Sequence, residues 1–182
     1  MSELPRLATE RLILRPFRTA DAPAVERFAG AWEVADTTLN IPHPYPAGAA
    51  EAWIETHQAA WDAGERLALA ISPADAPDNL IGAIGLSLDA QHARGELGYW
   101  ISLEMWGRGY ATEASHAIIA FGFDVLGLNR IQARHFLRNP ASGRVLQKLG
   151  MIFEGVQRQA FRRWEKFEDV AVYAILAGDR VP

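Results

Sequence analysis

The spacing of apolar side chains changes near the middle of the chain from the period of a strand to that of a helix. From Leu97 to Ile101 every second residue is apolar and points to one face, which is the two-residue repeat of a β-strand. After Gly109 apolar residues recur every three or four positions, as on one face of a helix. They are Ala111, Ala114, Ile118, Phe121 and Val125. The pattern therefore predicts a strand, a tight turn and one long helix within residues 94–128.

The turn between these two elements contains Gly107 and Gly109. A glycine turn that leads into a helix leaves the first backbone N–H groups of the helix without partners, at the positive end of the helix dipole. Such a helix start favours an anion, most often a phosphate group. The turn therefore predicts a phosphate-binding site, although a Gly-x-Gly pair alone is compatible with several classes of ligand.

The same patterns predict the other elements. Strands are expected at residues 10–17, 66–72, 80–88, 130–137, 151–163 and 167–176, and helices at about 19–29, 49–63 and 139–150. The proline-rich residues 36–48 predict an ordered loop. Short turns make consecutive strands antiparallel, whereas the strand at 130–137 follows a crossover helix and should lie parallel to the strand that begins at Arg94. We therefore predict a mixed α/β (α+β) fold, with a mostly antiparallel sheet and helices on both faces. It forms a single domain over residues 1–182, with its core at about 9–176.

The composition narrows the possible chemistry. The 182 residues include no cysteine, which excludes disulfides, thiol nucleophiles and thiolate metal sites. The histidines lack the spacing of metal ligands, so we expect no metal. A charged N-terminus and the absence of a long apolar run predict a cytoplasmic protein with no membrane partner.

Charge is distributed unevenly along the chain, whose net charge is −4. Residues 1–126 carry 8 basic and 17 acidic side chains, whereas residues 127–182 carry 10 basic and 5 acidic ones. Solvated surface is one explanation. The other is that the basic part faces a polyanionic ligand while the acidic part receives a cationic substrate. The basic residues are scattered and no stacking motif accompanies them, so we expect no nucleic-acid partner.

Two common phosphate-binding motifs do not fit the turn. In the dinucleotide fingerprint the third glycine would fall at Thr112, and the turn would follow the first strand of a βαβ unit. Here three predicted antiparallel strands precede the turn, and the strand that follows lacks a terminal acidic residue. A Walker loop fails because no Gly-Lys-Ser/Thr follows. A nicotinamide oxidoreductase is therefore a poor explanation of this turn.

A larger set of segments occurs in a fixed order between residues 9 and 176. The segments are TERLILRPF, GYWISLEMWGRGYATEA, Asn139-x-x-Ser142 and VLQKLGMIFEG. Together they resemble the GNAT superfamily of acyl-CoA-dependent N-acetyltransferases, and within it the branch of bacterial ribosomal-protein N-terminal (Rim-type) acetyltransferases. The family pattern at the phosphate turn is Gln/Arg-x-x-Gly-x-Gly/Ala. Trp106 replaces its first residue, whereas Gly109 and Ala111 match.

The resemblance implies a GNAT fold that binds acetyl-CoA as co-substrate. Backbone amides of the phosphate turn would hold the pyrophosphate of coenzyme A, and they belong to Gly107, Arg108, Gly109, Tyr110, Ala111 and Thr112. The Arg108 side chain would also be able to pair with a phosphate oxygen. The backbone of Tyr99, Trp100 and Ile101 would pair with the pantetheine arm, which requires the two parallel strands to splay apart. Asn139, which also suits a helix N-cap, and Ser142 would contact the coenzyme.

The resemblance further implies catalytic roles. The Ser142 hydroxyl would be the proton donor to the departing thiolate, beside a helix start that stabilises negative charge. A protonated amine cannot attack a thioester, so a base is needed. Glu96, on the central strand, is the first candidate, acting directly or through a water. Glu104 and His43 are weaker candidates for the base, and Tyr173 for the acid, because solvation or packing explains each of them.

These inferences predict an N-acetyltransferase that moves an acetyl group from acetyl-CoA directly to a primary amine. The absence of cysteine agrees with direct transfer, since no cysteinyl intermediate is available. The acceptor partner would be a protein N-terminus or a small-molecule amine, and a homodimer is compatible with the sequence. The alternative is a non-catalytic acyl-CoA-binding module, which keeps the phosphate turn and needs neither acid nor base.

Overall fold

A computed structural model of the chain describes residues 3–179, which form one eight-stranded sheet flanked by helices. The strands are β1 Leu7–Ala8, β2 Leu12–Arg15, β3 Arg66–Pro73, β4 Gly82–Asp89, β5 Arg94–Ile101, β6 Arg130–Phe136, β7 Ile152–Arg163 and β8 Lys166–Leu176. Their order across the sheet is β1-β2-β3-β4-β5-β6-β8-β7. Every neighbouring pair in this order is antiparallel except β5 and β6, which are parallel. The predicted mixed, mostly antiparallel sheet is confirmed.

Five α-helices accompany the sheet within the described residues. They are α1 Ala22–Ala29, α2 Trp32–Asp36, α3 Ala49–Asp62, α4 Tyr110–Asp124 and α5 Pro140–Lys148. The sequence patterns located four of them and missed α2, because five residues are too few to show a helical period. Short β1 was missed for the same reason. None of the helices within residues 3–179 is both long and apolar enough to cross a bilayer.

The sheet separates two apolar clusters, as expected when helices cover both faces. One cluster packs α4 and α5 against the sheet through side chains such as Leu97, Ile118 and Leu146. The other packs α1, α2 and α3 against the opposite face through Val25, Val34 and Ile54, with Trp100 contributed by β5. Because neighbouring residues of β5 point to opposite faces, Leu97 and Trp100 lie in different clusters.

The parallel pairing of β5 and β6 is short. The register joins Arg94 to Arg130 and stops at Leu97 and Ala133. Beyond this point β5 stays paired with β4 as far as Ile101, and β6 stays paired with β8 as far as Phe136. The two strands therefore diverge in the middle of the sheet. The gap between residues 98–101 and 134–136 is called the cleft below.

Residue Asp21 shows how a local pattern can be overridden. An aspartate directly before a helix usually caps it, but the carboxylate of Asp21 makes no cap hydrogen bond to α1. It accepts two hydrogen bonds from the buried Arg15 guanidinium, at 2.7 and 2.8 Å, and one from the backbone N–H of Arg18. Burial raises the pKa of Asp21, but these hydrogen bonds outweigh it and hold the pKa below its usual value. The charged pair fixes the start of α1 against β2.

A buried histidine makes the fold sensitive to acid. His57 on α3 packs edge-on against Trp53 and Phe17, and neither ring nitrogen has a hydrogen-bond partner among the described residues. Burial, and to a lesser extent the charge of Arg66, lowers the pKa of His57 from 6.5 to about 4. The folded protein therefore keeps His57 neutral at a pH where the unfolded chain protonates it.

We therefore expect the free energy of unfolding to fall by about 2 kcal/mol between pH 7 and pH 5 because of His57 alone, since one pKa unit corresponds to about 1.4 kcal/mol. The loss begins near pH 6.5 and is complete near pH 4. Urea unfolding at the two pH values measures it. His57→Phe should remove most of this pH dependence, whereas the exposed-site control His92→Gln should not. Equal acid sensitivity of His57→Phe and the unmodified protein would contradict the assignment.

Candidate active site

The phosphate turn has the geometry that its glycines predict. Gly107 and Gly109 adopt positive φ angles of 75° and 81°, a conformation that other residues rarely adopt. Helix α4 begins at Tyr110, and no side chain caps it from the N-cap position, which Gly109 occupies. The first N–H groups of α4 therefore have no intrahelical partner and lie at the positive end of its dipole.

Arg11 approaches the same turn from the N-terminal strands. Its guanidinium donates to the carbonyl oxygen of Arg108 at 3.1 Å and lies over the Tyr110 ring, 4.9 Å from the centroid. Glu113, in the first turn of α4, accepts hydrogen bonds from Arg11 Nε at 2.7 Å, from Arg11 N at 2.8 Å and from Thr9 Oγ1 at 2.6 Å. These contacts fix the segment before β2 to the start of α4. Sequence analysis missed this role of Arg11 because about one hundred residues separate the partners.

Glu113 is ionised at neutral pH. Partial burial raises the pKa of its carboxyl group, but the hydrogen bonds from Thr9 and Arg11 outweigh that effect and lower the pKa below the usual value. The carboxylate therefore neutralises Arg11 without blocking the free amides of the turn.

A cavity of about 640 Å³ lies beside the turn. It is lined by Glu10, Arg11, Gly109, Thr112, Glu113, His116 and Lys148. The cationic groups come from the segment before β2 and from the end of α5, and they meet at the N-terminal half of α4. The sequence patterns do not predict this meeting, because it depends on how α5 packs beside α4. The cavity is large enough for a group larger than a single phosphate. Its two acidic side chains balance its two basic ones, so the attraction for an anion comes from the free N–H groups and the dipole of α4.

The cleft is bordered by the start of α5. Asn139 is the N-cap of this helix, as predicted, and its Oδ1 accepts from the backbone N–H of Ser142 at 3.3 Å. The Ser142 hydroxyl lies 2.8 Å from the hydroxyl of Tyr99 on β5. Burial raises the pKa of Tyr99 to about 12, although the hydrogen bond with Ser142 acts in the opposite direction. The structure therefore brings Ser142 and Tyr99 together at the cleft.

Gly143 allows α5 to sit this close to the sheet. A Cβ atom at this position would lie 2.8 Å from Nε2 of His135 on β6, closer than Cβ atoms approach other atoms. The His135 ring is held in turn by Nδ1, which lies 2.8 Å from the carbonyl oxygen of Phe136. The first turn of α5, with Ser142, is therefore positioned by close contact with β6.

Glu96 lies on the opposite face of β5 from Tyr99. Its carboxylate is bound by the Arg134 guanidinium at 2.6 to 2.9 Å and by the Gln132 side-chain amide at 3.0 Å. Arg134 also lies over the ring of Phe161 on β7, 4.9 Å from its centroid. The pair is half-exposed, with 32% of the Glu96 side chain accessible. Next to it Gly98 leaves open space, since a Cβ atom there would meet nothing within 4 Å. Glu96 and Ser142 therefore approach the diverging strands from opposite sides of the sheet.

Trp106 departs from the family pattern, and its contact shows what it does. Its indole Nε1 donates to the carbonyl oxygen of Ile101 at 2.7 Å. The side chain thereby joins the end of β5 to the phosphate turn while remaining half-exposed. Glu104, in the same turn, is exposed and forms a 3.3 Å ion pair with Arg27.

The side of the sheet that carries Glu96 is bordered by the proline-rich loop and by the turn between β7 and β8. Trp164 in that turn stacks on Trp32 at 5.2 Å and donates to Asp36 at 2.9 Å. Arg163 donates to the carbonyl oxygens of Ala35 and Ile41. Trp164 is thus part of a fixed contact between the hairpin and the segment after α1.

The remaining candidates for the base and the acid, His43 and Tyr173, are held by packing contacts. The His43 ring contacts Trp32, and its Nδ1 lies 2.8 Å from the Gly30 carbonyl oxygen. Tyr173 is buried against His135 and Phe153 on β7. Within residues 3–179 no group of three or more His, Asp or Glu side chains is arranged to hold a metal ion.

Comparisons with known proteins identify the architecture. The profile of the family described as "Acetyltransferase (GNAT) domain" matches residues 11–152. An uncharacterized N-acetyltransferase of Bacillus subtilis (strain 168), YoaA, is 36% identical over 173 residues, covering 94% of this chain and 97% of that protein. The chain belongs to the GNAT acetyltransferase family.

Other matches extend this finding. The ribosomal-protein-serine acetyltransferase of Escherichia coli (strain K12) is 31% identical over 98 residues, which cover 53% of this chain and 55% of that protein. A solved structure of RimL, the ribosomal L7/L12 alpha-N-protein acetyltransferase in complex with coenzyme A, has a TM-score of 0.84 at 18% identity and covers 94% of this chain and 98% of that one. The predicted resemblance to the GNAT superfamily and to Rim-type enzymes is confirmed. The protein is an acyl-CoA-dependent acetyltransferase.

The hydrogen bonds to Glu113 can be tested for their contribution to the stability of the phosphate turn. Glu113→Ala removes the acceptor of three hydrogen bonds from Thr9 and Arg11, so we expect the free energy of unfolding at pH 7 to fall by roughly 1–3 kcal/mol. Because the pKa of Glu113 is lowered, its contribution is complete above about pH 4.5 and is lost as the pH falls further. Urea unfolding measures both effects. The exposed neighbour Glu10→Ala is the control, with a change below about 0.5 kcal/mol. A Glu113→Ala protein as stable as this control would show that the contacts do not hold the turn.

Proposed function

We propose that the protein transfers an acetyl group from acetyl-CoA directly to a primary amine, on a protein N-terminus or on a small molecule. The observation that carries the proposal is the divergence of β5 and β6 beside two helix starts. One of them follows the phosphate turn, and the other carries Ser142. A long anionic thioester fits this arrangement, with its phosphates at α4 and its reacting carbon at the cleft.

The donor is bound first by the backbone. The amides from Gly107 to Thr112 hold the pyrophosphate, because the left-handed glycines expose them and the dipole of α4 attracts negative charge. Arg108 is exposed and pairs with a phosphate oxygen. Lys148 supplies further positive charge at the adjoining cavity, where Arg11 is already paired with Glu113. The solved RimL complex with coenzyme A, which shares this fold, supports the choice of ligand.

The pantetheine arm pairs with the free side of β5. The N–H of Ser102 donates to the carbonyl oxygen of Ile81, the residue directly before β4. Ser102 therefore directs its backbone groups towards β4 and away from the cleft. Since alternate residues of a strand direct their backbone groups to opposite sides, those of Tyr99 and Ile101 face the cleft. The carbonyl oxygen of Ile101 already accepts a hydrogen bond from the Trp106 indole, so only the Ile101 N–H is free for the arm. The arm therefore pairs with the backbone of Tyr99 and with the Ile101 N–H, passes Trp100, and reaches the Asn139 side chain at the start of α5.

The reaction takes place where the arm ends. The amine nitrogen attacks the carbonyl carbon, the C–S bond breaks, and the electron pair of that bond leaves with sulfur. The Ser142 hydroxyl donates to this sulfur, and the N-terminal dipole of α5 stabilises its negative charge. Ser142 keeps its proton in a hydrogen bond to the thiolate. The nitrogen passes its extra proton to the water beside Glu96, and the released thiolate takes a proton from solvent, so the products are an amide and the coenzyme thiol.

Glu96 acts as the base through a bound water. Both carboxylate oxygens already accept hydrogen bonds from Arg134 or Gln132, so the amine proton reaches Glu96 through a bound water and not by direct contact. A base restrained in this way suits an amine that loses its proton easily. Free α-amines, with a pKa near 8, are therefore better acceptors than lysine side chains, with a pKa near 10.4.

The catalytic assignment is tested by two substitutions. Turnover of acetyl-CoA is measured with a panel of amines and of peptides that begin with Ser or Ala. Ser142→Ala and Glu96→Gln should each lower kcat by roughly 100-fold or more, the usual range for acid–base groups, without loss of acetyl-CoA binding. Glu104→Gln, which alters an exposed ion pair, is the control and should be unchanged. Full activity of both variants would refute the assignment. Absence of turnover over the whole panel, with tight acetyl-CoA binding, would instead support a non-catalytic acyl-CoA-binding module.

The phosphate site is tested by a matched pair of glycines. Gly109→Ala forces a Cβ into a left-handed position at the start of α4, so we expect coenzyme A to bind at least about tenfold more weakly. Gly127→Ala imposes the same conformational penalty, at a φ of 66°, in the turn after α4 and away from the site. Calorimetric titration with coenzyme A measures both. If the two substitutions weaken binding equally, the turn does not bind the coenzyme.

A further inference from the structure

We propose that the Tyr99 hydroxyl is a positioning residue for the transfer step: it donates a hydrogen bond to Ser142 Oγ, so that the hydrogen of Ser142 points towards the departing sulfur. The inference rests on the proposed function, because it assigns the orientation of a group that only an acyl transfer from a thioester would use. Neither sequence analysis nor the family pattern assigned a role to the side chain of Tyr99.

The geometry restrains Ser142 at two points. Its backbone N–H donates to Asn139 Oδ1, and its hydroxyl oxygen lies 2.8 Å from Tyr99 Oη. A serine hydroxyl has one hydrogen and two lone pairs, and it rotates to suit its partners. If Tyr99 donates, the single hydrogen of Ser142 is left for a third partner. If Ser142 donated to Tyr99, that hydrogen would point at β5 and away from the arriving sulfur.

The acidity of the two groups decides the direction. A phenol is a much stronger acid than an alkyl hydroxyl, so it is the better hydrogen-bond donor of the two. Burial raises the pKa of Tyr99 to about 12, so its proton is retained throughout the pH range in which an amine is acetylated. Tyr99 is therefore a permanent donor, fixed by a strand and surrounded by the apolar cluster that packs against α4 and α5.

The departing sulfur needs a hydrogen-bond donor that is already oriented towards it. When the nitrogen–carbon bond forms and the C–S bond breaks, sulfur receives an electron pair that is best stabilised by a donor already aimed at it. A thiol has a pKa near 8.5, far below that of Tyr99, so the thiolate does not take the tyrosine proton. Tyr99 therefore acts on the transfer step only by orienting the Ser142 hydroxyl. The nitrogen proton leaves on the other side of the sheet, near Glu96.

The experiment uses the full chain with Tyr99→Phe, which keeps the ring and removes only the hydroxyl. We expect kcat to fall about tenfold to a hundredfold, because an aligned donor to the leaving group is lost. The KM for acetyl-CoA should stay within about threefold, since the ring and the backbone of β5 remain. Circular dichroism and thermal unfolding confirm the fold. Tyr45→Phe, in the apolar cluster on the opposite face of the sheet, is the matched control and should keep full activity.

A double substitution separates positioning from packing. If Tyr99 acts through Ser142, the Ser142→Ala/Tyr99→Phe protein should be no slower than Ser142→Ala, because the orientation of a missing hydroxyl has no effect. A second readout uses S-acetyl-4-nitrothiophenol, whose thiolate needs little stabilisation. With this donor, Tyr99→Phe should lower kcat/KM by a several-fold smaller factor than it does with acetyl-CoA.

Three results would overturn the inference: unchanged kcat in Tyr99→Phe, multiplicative losses in the double variant, or an equal deficit with both donors. Each leaves the proposed function intact, provided that the unmodified protein acetylates an amine. Failure of the unmodified protein to turn over any amine would refute the proposed function itself, and would remove the basis for the role of Tyr99.

Discussion

The short pairing between β5 and β6 is the constraint on which the rest of the site depends. Parallel strands that remained paired to their ends would leave no backbone groups free and no gap in the sheet. Here the pairing stops at Leu97 and Ala133, while each strand remains fixed by its other neighbour. The cleft is therefore rigid although it is open. The same divergence brings the first turn of α5 near the free side of β5, and it leaves an opening through which groups on the two faces of the sheet can act on one substrate.

Both ends of this cleft are fixed by contacts between distant parts of the chain. Glu113 and Arg11 attach the N-terminal strands to the start of α4, and Trp106 attaches the phosphate turn to the last carbonyl of β5. At the other end, Gly143 lets α5 rest on His135. These contacts restrain the turn and Ser142 relative to each other, and a long flexible thioester needs such restraint if its reacting carbon is to arrive beside a fixed donor.

Sequence patterns located most of the fold because the longer elements carry clear periods and clear ends. The helix that follows Gly109 and the capped helix at Asn139 were both found in this way. Short elements such as α2 show no period and were missed. In the site, the backbone features were predictable because glycine, proline and an N-cap residue act locally. The contacts of Arg11, Lys148 and the Tyr99 hydroxyl were not, since each depends on residues that only the sheet topology brings together. Glu96 was placed on the correct strand, but its ion pair with Arg134 could not be anticipated from periodicity.

The central claim is that the cleft between β5 and β6 holds the reacting thioester of coenzyme A next to Ser142. The most direct measurement is a crystal structure of the protein with coenzyme A bound. We expect the pyrophosphate on the amides of residues 107–112, the pantetheine arm along β5, and the sulfur in hydrogen-bonding contact with Ser142 Oγ. A coenzyme bound elsewhere on the protein, or one whose sulfur ends away from the cleft, would contradict it.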